Sequence, residues 1–244
     1  MIILPENTFK ISLIDEISIF SPYENMAIDE QLTLSRELAL NNNSSLFLRF
    51  YTWKQKCITF GYAQNFHKVL EANPNINIII RRPTGGGTVI HQNDLTYSMI
   101  IFNDSPLFSL HRNEIYLLLH NTIKKVLQRF NINSSLSTKK SLSSGYYKCF
   151  EKPVPGDLLL ENGLKIAGAA QKQTKDYILV QGTIAIDLIN LRIDVFKSAL
   201  LDEFKNIIKI HFQNISLTED FLSAARELAD KKYFTEKWNK FRKI

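Results

Sequence analysis

The chain of 244 residues reads as one α+β domain, built on a mixed, largely antiparallel sheet with helices packed on its outside. Three observations predict this. Short runs rich in β-branched and aromatic residues recur along the chain. Amphipathic stretches of helical period alternate with them. No internal repeat and no composition break marks a linker, so a single domain over residues 1–244 is expected. An apolar share of 45% and a charged share of 22% describe an ordinary globular protein long enough for a substantial core.

In chain order, Phe9 to Ile14 alternates and is expected to be a strand. Asn25 to Glu30 opens a helix that continues to about Leu40, where Asn41-Asn42-Asn43 ends it. Leu46–Trp53 and Cys57–Tyr62 are aromatic and β-branched, and are expected to pair as a hairpin. A short helix follows over Phe66 to Ala72, then a buried strand carrying Ile76, Ile78, Ile79 and Ile80. Thr88-Val89-Ile90 and Thr96 to Phe102 read as further strands. Between Asn113 and Phe130, Ile115, Leu118, Leu119, Ile123, Val126 and Leu127 recur at helical spacing. Ser134 to Ser144 is rich in Ser and Lys without a period and reads as a mobile loop. Leu164 to Gln171 and Ile178 to Asp187 are expected strands, and everything from Leu191 onward is expected to be helical.

Composition narrows the function classes. Much of the net charge of +6 comes from Lys231, Lys232, Lys237, Lys240, Arg242 and Lys243, expected to form a solvated helix face. No aromatic-interleaved basic motif or zinc spacing supports nucleic-acid binding, whereas an acidic protein partner would suit a basic enzyme. No run approaches the ~20 apolar residues of a membrane span. Met1 to Glu6 lacks the basic-then-apolar pattern of a secretory signal, so the cytoplasm is the expected location. Cys57 and Cys149 form neither a disulfide framework nor a metal-binding CxxC, and no metal ligand is expected. GxxxxGK[ST], GxSxG and HExxH are absent.

The chemistry concentrates in a few places. Arg81-Arg82-Pro83-Thr84-Gly85-Gly86-Gly87-Thr88-Val89-Ile90-His91 leads from a strand into three glycines, where a ligand can lie on bare main chain between two arginines and a histidine. Lys165 sits in a strand of small residues, Gly163 to Gln171. From there it either snorkels to solvent, contributing little to folding, or clamps a carbonyl or phosphate oxygen. Cys149 is flanked by Lys148 and Lys152 in a polar segment, better placed to become a thiolate than Cys57 in its apolar strand.

Together these segments resemble the lipoate–protein ligase and octanoyltransferase family, whose catalytic domain is shared with biotin ligases. The resemblance runs from about Asn25 to Asp187 and weakly through Trp238-Asn239. It is carried by Asn25 to Glu30, Leu48 to Trp53, Phe60 to Gln64, the glycine segment with His91, Lys165 to Gln171, and Gln181-Gly182-Thr183. It implies a sheet bent around an acyl tunnel, with no fused C-terminal accessory domain in this chain. It implies catalytic roles for Cys149 and Lys165. Substrate contacts are implied for Arg49, Arg82, Thr84, Gly85, Gly86, Gly87, His91, Asp157, Gly168, Gly182 and Thr183. The acceptor would be a lysine of a lipoyl domain of 2-oxoacid dehydrogenases or of the glycine-cleavage carrier protein.

Two branches of the family stay open. The transferase branch takes octanoate from acyl carrier protein through a cysteine thioester and needs no cofactor. Cys149-Phe150 resembles the Cys-Phe segment of that branch, which is favoured. The ligase branch activates lipoate with ATP and Mg2+. Here Gly156-Asp157-Leu158 lacks the asparagine that ligases carry before the aspartate, and Gln181 stands where a histidine is common. A non-catalytic acyl-binding relative is the third alternative.

Overall fold

The computed structural model describes residues 9–15, 20–138, 150, 152–208 and 210–244. The amino-terminal half comprises β1 (Phe9–Asp15), α1 (Pro22–Leu34), α2 (Arg36–Asn41), β2 (Leu46–Tyr51), β3 (Cys57–Phe60), α3 (Phe66–Glu71), β4 (Ile79–Arg81) and β5 (Val89–His91). Then come β6 (Leu95–Phe102), α4 (Arg112–Arg129), β7 (Ser134–Leu136), β8 (Leu158–Leu160), β9 (Lys165–Gln173) and β10 (Tyr177–Ile184). Helix α5 (Ile193–Ile208), strand β11 (Ile210–Asn214), α6 (Glu219–Leu228) and α7 (Glu236–Phe241) follow, with a π-helical turn at Ala229–Tyr233 before α7.

Eight strands form one mixed sheet in the order β11-β1-β2-β6-β10-β9-β8-β7, in which β1 runs parallel to β11 and β2 and the other pairings are antiparallel. A second sheet of three strands, β4-β3-β5, carries the glycine segment between β4 and β5. One face of the large sheet packs Leu95, Met99, Ile101, Ile178 and Val180 against Ile115, Leu119 and Ile123 of α4 and against Phe196 and Leu200 of α5. Each such side chain stabilises the fold by roughly 1.5–3 kcal/mol on burial. The opposite face receives α1, whose Ile28 and Leu32 pack on Phe47, Ile100, Phe102 and Leu179.

Five expectations are corrected. The stretch Cys57–Tyr62 does not pair with Leu46–Trp53. Every residue of β2 is buried and both its edges are taken, by β1 and β6, so β3 finds its partners in the second sheet. The first helix breaks at Ser35, whose hydroxyl donates to the Gln31 carbonyl at 2.8 Å, next to Thr33 donating to Glu30 at 2.7 Å; such back-bonding bends and ends helices. Ser134–Leu136 is an edge strand paired with β8, while 139–144 of that stretch lie outside the described residues. The region after Leu191 is not all helix, because Ile210-His211-Phe212-Gln213-Asn214 alternates and pairs in parallel with β1. Lys232 also departs from the solvated tail: it is buried, with its ammonium 2.6 and 2.7 Å from the Glu30 carboxylate oxygens and over the Trp238 ring. Among the described residues no helix is long and apolar enough to cross a membrane.

Candidate active site

The site starts on α1. Ser21 and Glu24 close a capping box on a helix begun by Pro22, which fixes the helix start and hence the face it presents. Asn25 and Asp29, four residues apart, share that face. Asp29 is fully buried and accepts four bonds: from Arg49 Nη1 at 2.9 Å, Ser98 at 2.7 Å, Tyr51 at 2.9 Å and Gln181 Nε2 at 2.8 Å. Arg49 is equally buried, and its other terminal nitrogen donates to Asn25 Oδ1 at 2.6 Å. A buried carboxylate and guanidinium are tolerable only when paired and hydrogen-bonded in this way.

From Asp29 the network passes through Gln181 to the glycine loop, because Thr84 donates to Gln181 Oε1 at 2.8 Å. The loop is held from both sides. Arg82 donates to the carbonyls of Gly85 at 2.5 Å and Gly87 at 2.8 Å. Gly86 adopts φ +85°, and a Cβ at Gly61 would lie 2.0 Å from the Gly86 carbonyl, so both positions demand glycine. Behind the loop, Arg81 is buried and makes four side-chain hydrogen bonds. It donates to the Tyr62 and Gln64 carbonyls at 2.5 and 2.8 Å and, through Nε and Nη2, to the Asn239 carbonyl of α7 at 3.1 and 2.8 Å. Asn239 Oδ1 accepts the Arg81 amide at 2.7 Å, and Trp238 Nε1 donates to the Arg81 carbonyl at 2.7 Å.

His91 stacks on Trp53 with ring centroids 4.0 Å apart. Its Nδ1 lies 2.8 Å from Asp94 and its Nε2 2.8 Å from the Thr59 hydroxyl. Burial pushes the Asp94 carboxyl up, but the charge and hydrogen bond of His91, with bonds from the Gln92 amide and Thr96, bring it below the usual range. Burial, with help from Asp94, pushes the Cys57 thiol up, which makes that cysteine inert.

Lys165 does not reach solvent. Its ammonium lies 2.7 Å from Asp157 Oδ2, both side chains are buried, and the Phe150 ring centroid is 5.3 Å away. Gly168 makes the route possible, since a Cβ there would lie 2.3 Å from Lys165 Cε. Asp157 is oriented by the Val154 amide at 2.7 Å and by the Tyr116 hydroxyl on its other oxygen. The Tyr116 ring meets His120 edge-on at 4.2 Å. His120 Nδ1 lies 2.7 Å from the Gly156 carbonyl, and burial holds this imidazole down to about 4.

These groups surround a narrow cavity of ≈ 40 Å³, walled by Met26, Tyr51, Trp53, Val89, Phe150 and Ala170 and bordered by Arg82, His91, Gln181 and Thr183. Two larger pockets flank it. One of ≈ 330 Å³ shares Phe150 and Thr183 and has Lys165 on its wall. Another of ≈ 260 Å³ lies beside Gly85, Gly86, Arg112 and Tyr116. The arrangement is an apolar slot with a fixed ammonium beside it, suited to an acyl chain and to developing negative charge on its carbonyl.

The pattern of the lipoyl protein ligase A/B catalytic domain matches residues 21–218. The chain belongs to this family. Octanoyltransferase LipM of Carboxydothermus hydrogenoformans is 32% identical over 215 residues, covering 86% of this chain and 78% of that protein. Octanoyltransferase LipM of Bacillus subtilis is 28% identical over 267 residues, covering 90% and 94%. A crystal structure of lipoate-protein ligase A bound with ATP superposes with a TM-score of 0.71 at 23% identity, covering 96% of this chain and 98% of the other. A bi-partite lipoate protein ligase from Thermoplasma acidophilum, described with its E2 lipoyl domain, gives 0.70 at 21%, covering 95% and 96%. These matches establish the fold expected from the sequence and make the protein an enzyme of the transferase and ligase family.

Family membership leaves the placement of each residue to the geometry. Arg82, Gly86, His91, Gly168 and Thr183 border the inner cavity, and Lys165, paired with Asp157, lines the adjoining pocket that shares Phe150 and Thr183 with it. Gly85 borders the pocket beside Arg112, while Thr84 and the Gly87 carbonyl brace the loop from within. Arg49 stands behind the wall, joining α1 to β2. Gly182 faces away from the cavity, where a Cβ would meet the Tyr97 ring at 2.1 Å. Cys149 lies outside the described residues. Sequence reasoning missed Met26, Asp29, Trp53, Asp94 and Tyr116. Asp94, three residues after a histidine, was the one with a visible signal.

Proposed function

We propose that this enzyme moves an octanoyl group from the thioester of an acyl carrier protein to a lipoyl-domain lysine, through a thioester on Cys149. The observation that carries the reading is the Lys165 ammonium, fixed by Asp157 beside an apolar slot and under the ring of Phe150, the residue that follows Cys149 in the chain. The relatives named octanoyltransferase LipM support transfer of an octanoyl group.

In the first step the Cys149 sulfur attacks the donor thioester carbonyl. The C–S bond to the carrier breaks, and the carrier leaves as its thiol with the proton Cys149 gave up. In the second, the neutral lysine amine attacks the acyl-enzyme, the amide bond forms, and Cys149 recovers a proton as its bond to the acyl group breaks. Lys165 donates to the oxyanion of both tetrahedral intermediates, and Asp157 holds the ammonium in place. The reaction needs no nucleotide or metal. A reducing compartment such as the cytoplasm suits a free thiol nucleophile.

A specific observation favours a second reading, ATP-dependent ligation of free lipoate. The pocket beside Gly85 and Gly86 carries the exposed guanidinium of Arg112, which suits phosphate oxygens. The two readings separate in one comparison. With octanoyl carrier protein alone, the enzyme should gain one octanoyl group by intact mass, and Cys149→Ala should gain none. Acceptor modification with release of AMP, seen only with lipoate and Mg-ATP, would replace the first reading by the second.

A further inference from the structure

The ≈ 330 Å³ pocket outside Lys165 combines apolar, amide and cationic groups that the acyl chain does not use. We infer that it is the channel for the phosphopantetheine arm of the acyl donor, an inference that rests on the octanoyl-thioester reading above. At its inner end stand Lys165, 3% exposed, and the Phe150 ring that also walls the acyl slot. Three large apolar side chains follow, Ile90, Leu164 and Leu188, which are 41%, 50% and 42% exposed. Exposed aliphatic groups gathered at one opening mark a surface that something covers. The same exposed wall carries the side-chain amides of Gln92 and Asn93 and the ammonium of Lys56. The register Cys57↔His91 between β3 and β5 sets Lys56 next to Gln92.

A phosphopantetheine thioester has groups that match this wall in kind: a reacting sulfur, alkyl spacers with two amides, and an anionic phosphate. Amide side chains match its amides, and an ammonium matches its phosphate. Asp94 also lies on this wall, but it is buried with its carboxylate directed to His91, Thr96 and the Gln92 amide, whereas Lys56 is exposed. Asp187, also on this wall and exposed, is screened by solvent. The pocket beside Arg112 also offers a cation, but neither Lys165 nor Phe150 borders it. An acceptor lysine is the competing occupant. It has no amide in its stem and no anion, and Lys56 would repel it.

The test uses two soluble donors, S-octanoyl-4′-phosphopantetheine and S-octanoyl-pantetheine, with octanoyl adduct on the enzyme followed by intact mass. The wild type should prefer the phosphorylated donor. Lys56→Glu should slow it about twofold to fivefold while leaving the dephosphorylated donor unchanged, as expected for one solvent-exposed ion pair. Asn93→Leu should slow both. Equal use of the two donors by the wild type, or indifference of Lys56→Glu to the phosphate, would overturn the assignment. So would a Lys56→Glu enzyme whose only change is better use of the acceptor domain, which would give the channel to the lysine. A wild type acylated by no thioester, yet active with lipoate and Mg-ATP, would show that the underlying reading had failed instead.

Discussion

Strands β6 and β10 supply alternate residues to two faces that differ in kind. Leu95, Met99 and Ile101, with Ile178, Val180 and Ile184, face α4 and α5 and are held by dispersion and burial. Thr96, Ser98, Gln181 and Thr183, interleaved with them, point to the other side, where Thr96 bonds Asp94 and Thr183 while Ser98 and Gln181 donate to Asp29. The first face tolerates a hydrophobic exchange of similar volume, because no atom there has a directional partner. On the second, each donor removed leaves a buried acceptor short. Stability and site geometry are therefore carried by the same strands on opposite sides, and substitutions on the two sides should separate them.

The largest effect is expected at Lys165. Lys165→Ala should cut turnover at saturating donor by about 10²–10³, as loss of an oxyanion donor does. Contrary to the expectation for a strand lysine, it should also lower stability, by roughly 3–5 kcal/mol, because Asp157 would be left buried without its cation. Urea melts alongside turnover check both, and a variant with normal turnover would detach Lys165 from the chemistry. Lys165→Arg should not restore activity, since the slot over Gly168 admits a methylene chain and a compact ammonium, not a planar guanidinium.

On the apolar face, Met99→Ala should cost about 2–5 kcal/mol in the same melts. At temperatures where the protein stays folded, its turnover should match the wild type. A fall in kcat there would show that the faces are coupled after all.

The smallest effect tests the border between them. His120 sits on α4 but touches Tyr116, which holds Asp157. Burial lowers its pKa from 6.5 to about 4, so the unfolded chain binds a proton that the folded one refuses between those values. Stability from this group is complete above pH 6.5 and is lost as the pH falls towards 4. His120→Gln should flatten the dependence of Tm on pH across that window. An unchanged slope would mean that other groups set it.

The sequence was most legible where periodicity and local chemistry agree. Ile115 to Leu127 announced α4, and the glycines after the isoleucine strand announced a backbone site. Strand partners were not legible, because pairing depends on which edges are already taken: β2 and β3 look like a hairpin until β6 claims the place. Ser134–Leu136 was hidden by polar residues that an edge strand accepts. In the site, residue types that carry charge were found, whereas their orientation was not. Arg49 and Lys165 are both single cations in strands, and nothing local says that one braces a helix while the other stands beside the slot. Met26 and Trp53 line the cavity through long-range packing that no local spacing encodes.

The clasp between Arg81 and Asn239 joins positions 158 residues apart in the chain. On the ribosome, a nascent chain exposes β4 and the glycine segment long before α7 emerges to meet them. Until then Arg81 has neither the carbonyl nor the amide oxygen of Asn239, and the support behind the loop is incomplete. Synthesis thus carries its own timing: the brace behind the glycine segment closes only after residue 239 has left the exit tunnel.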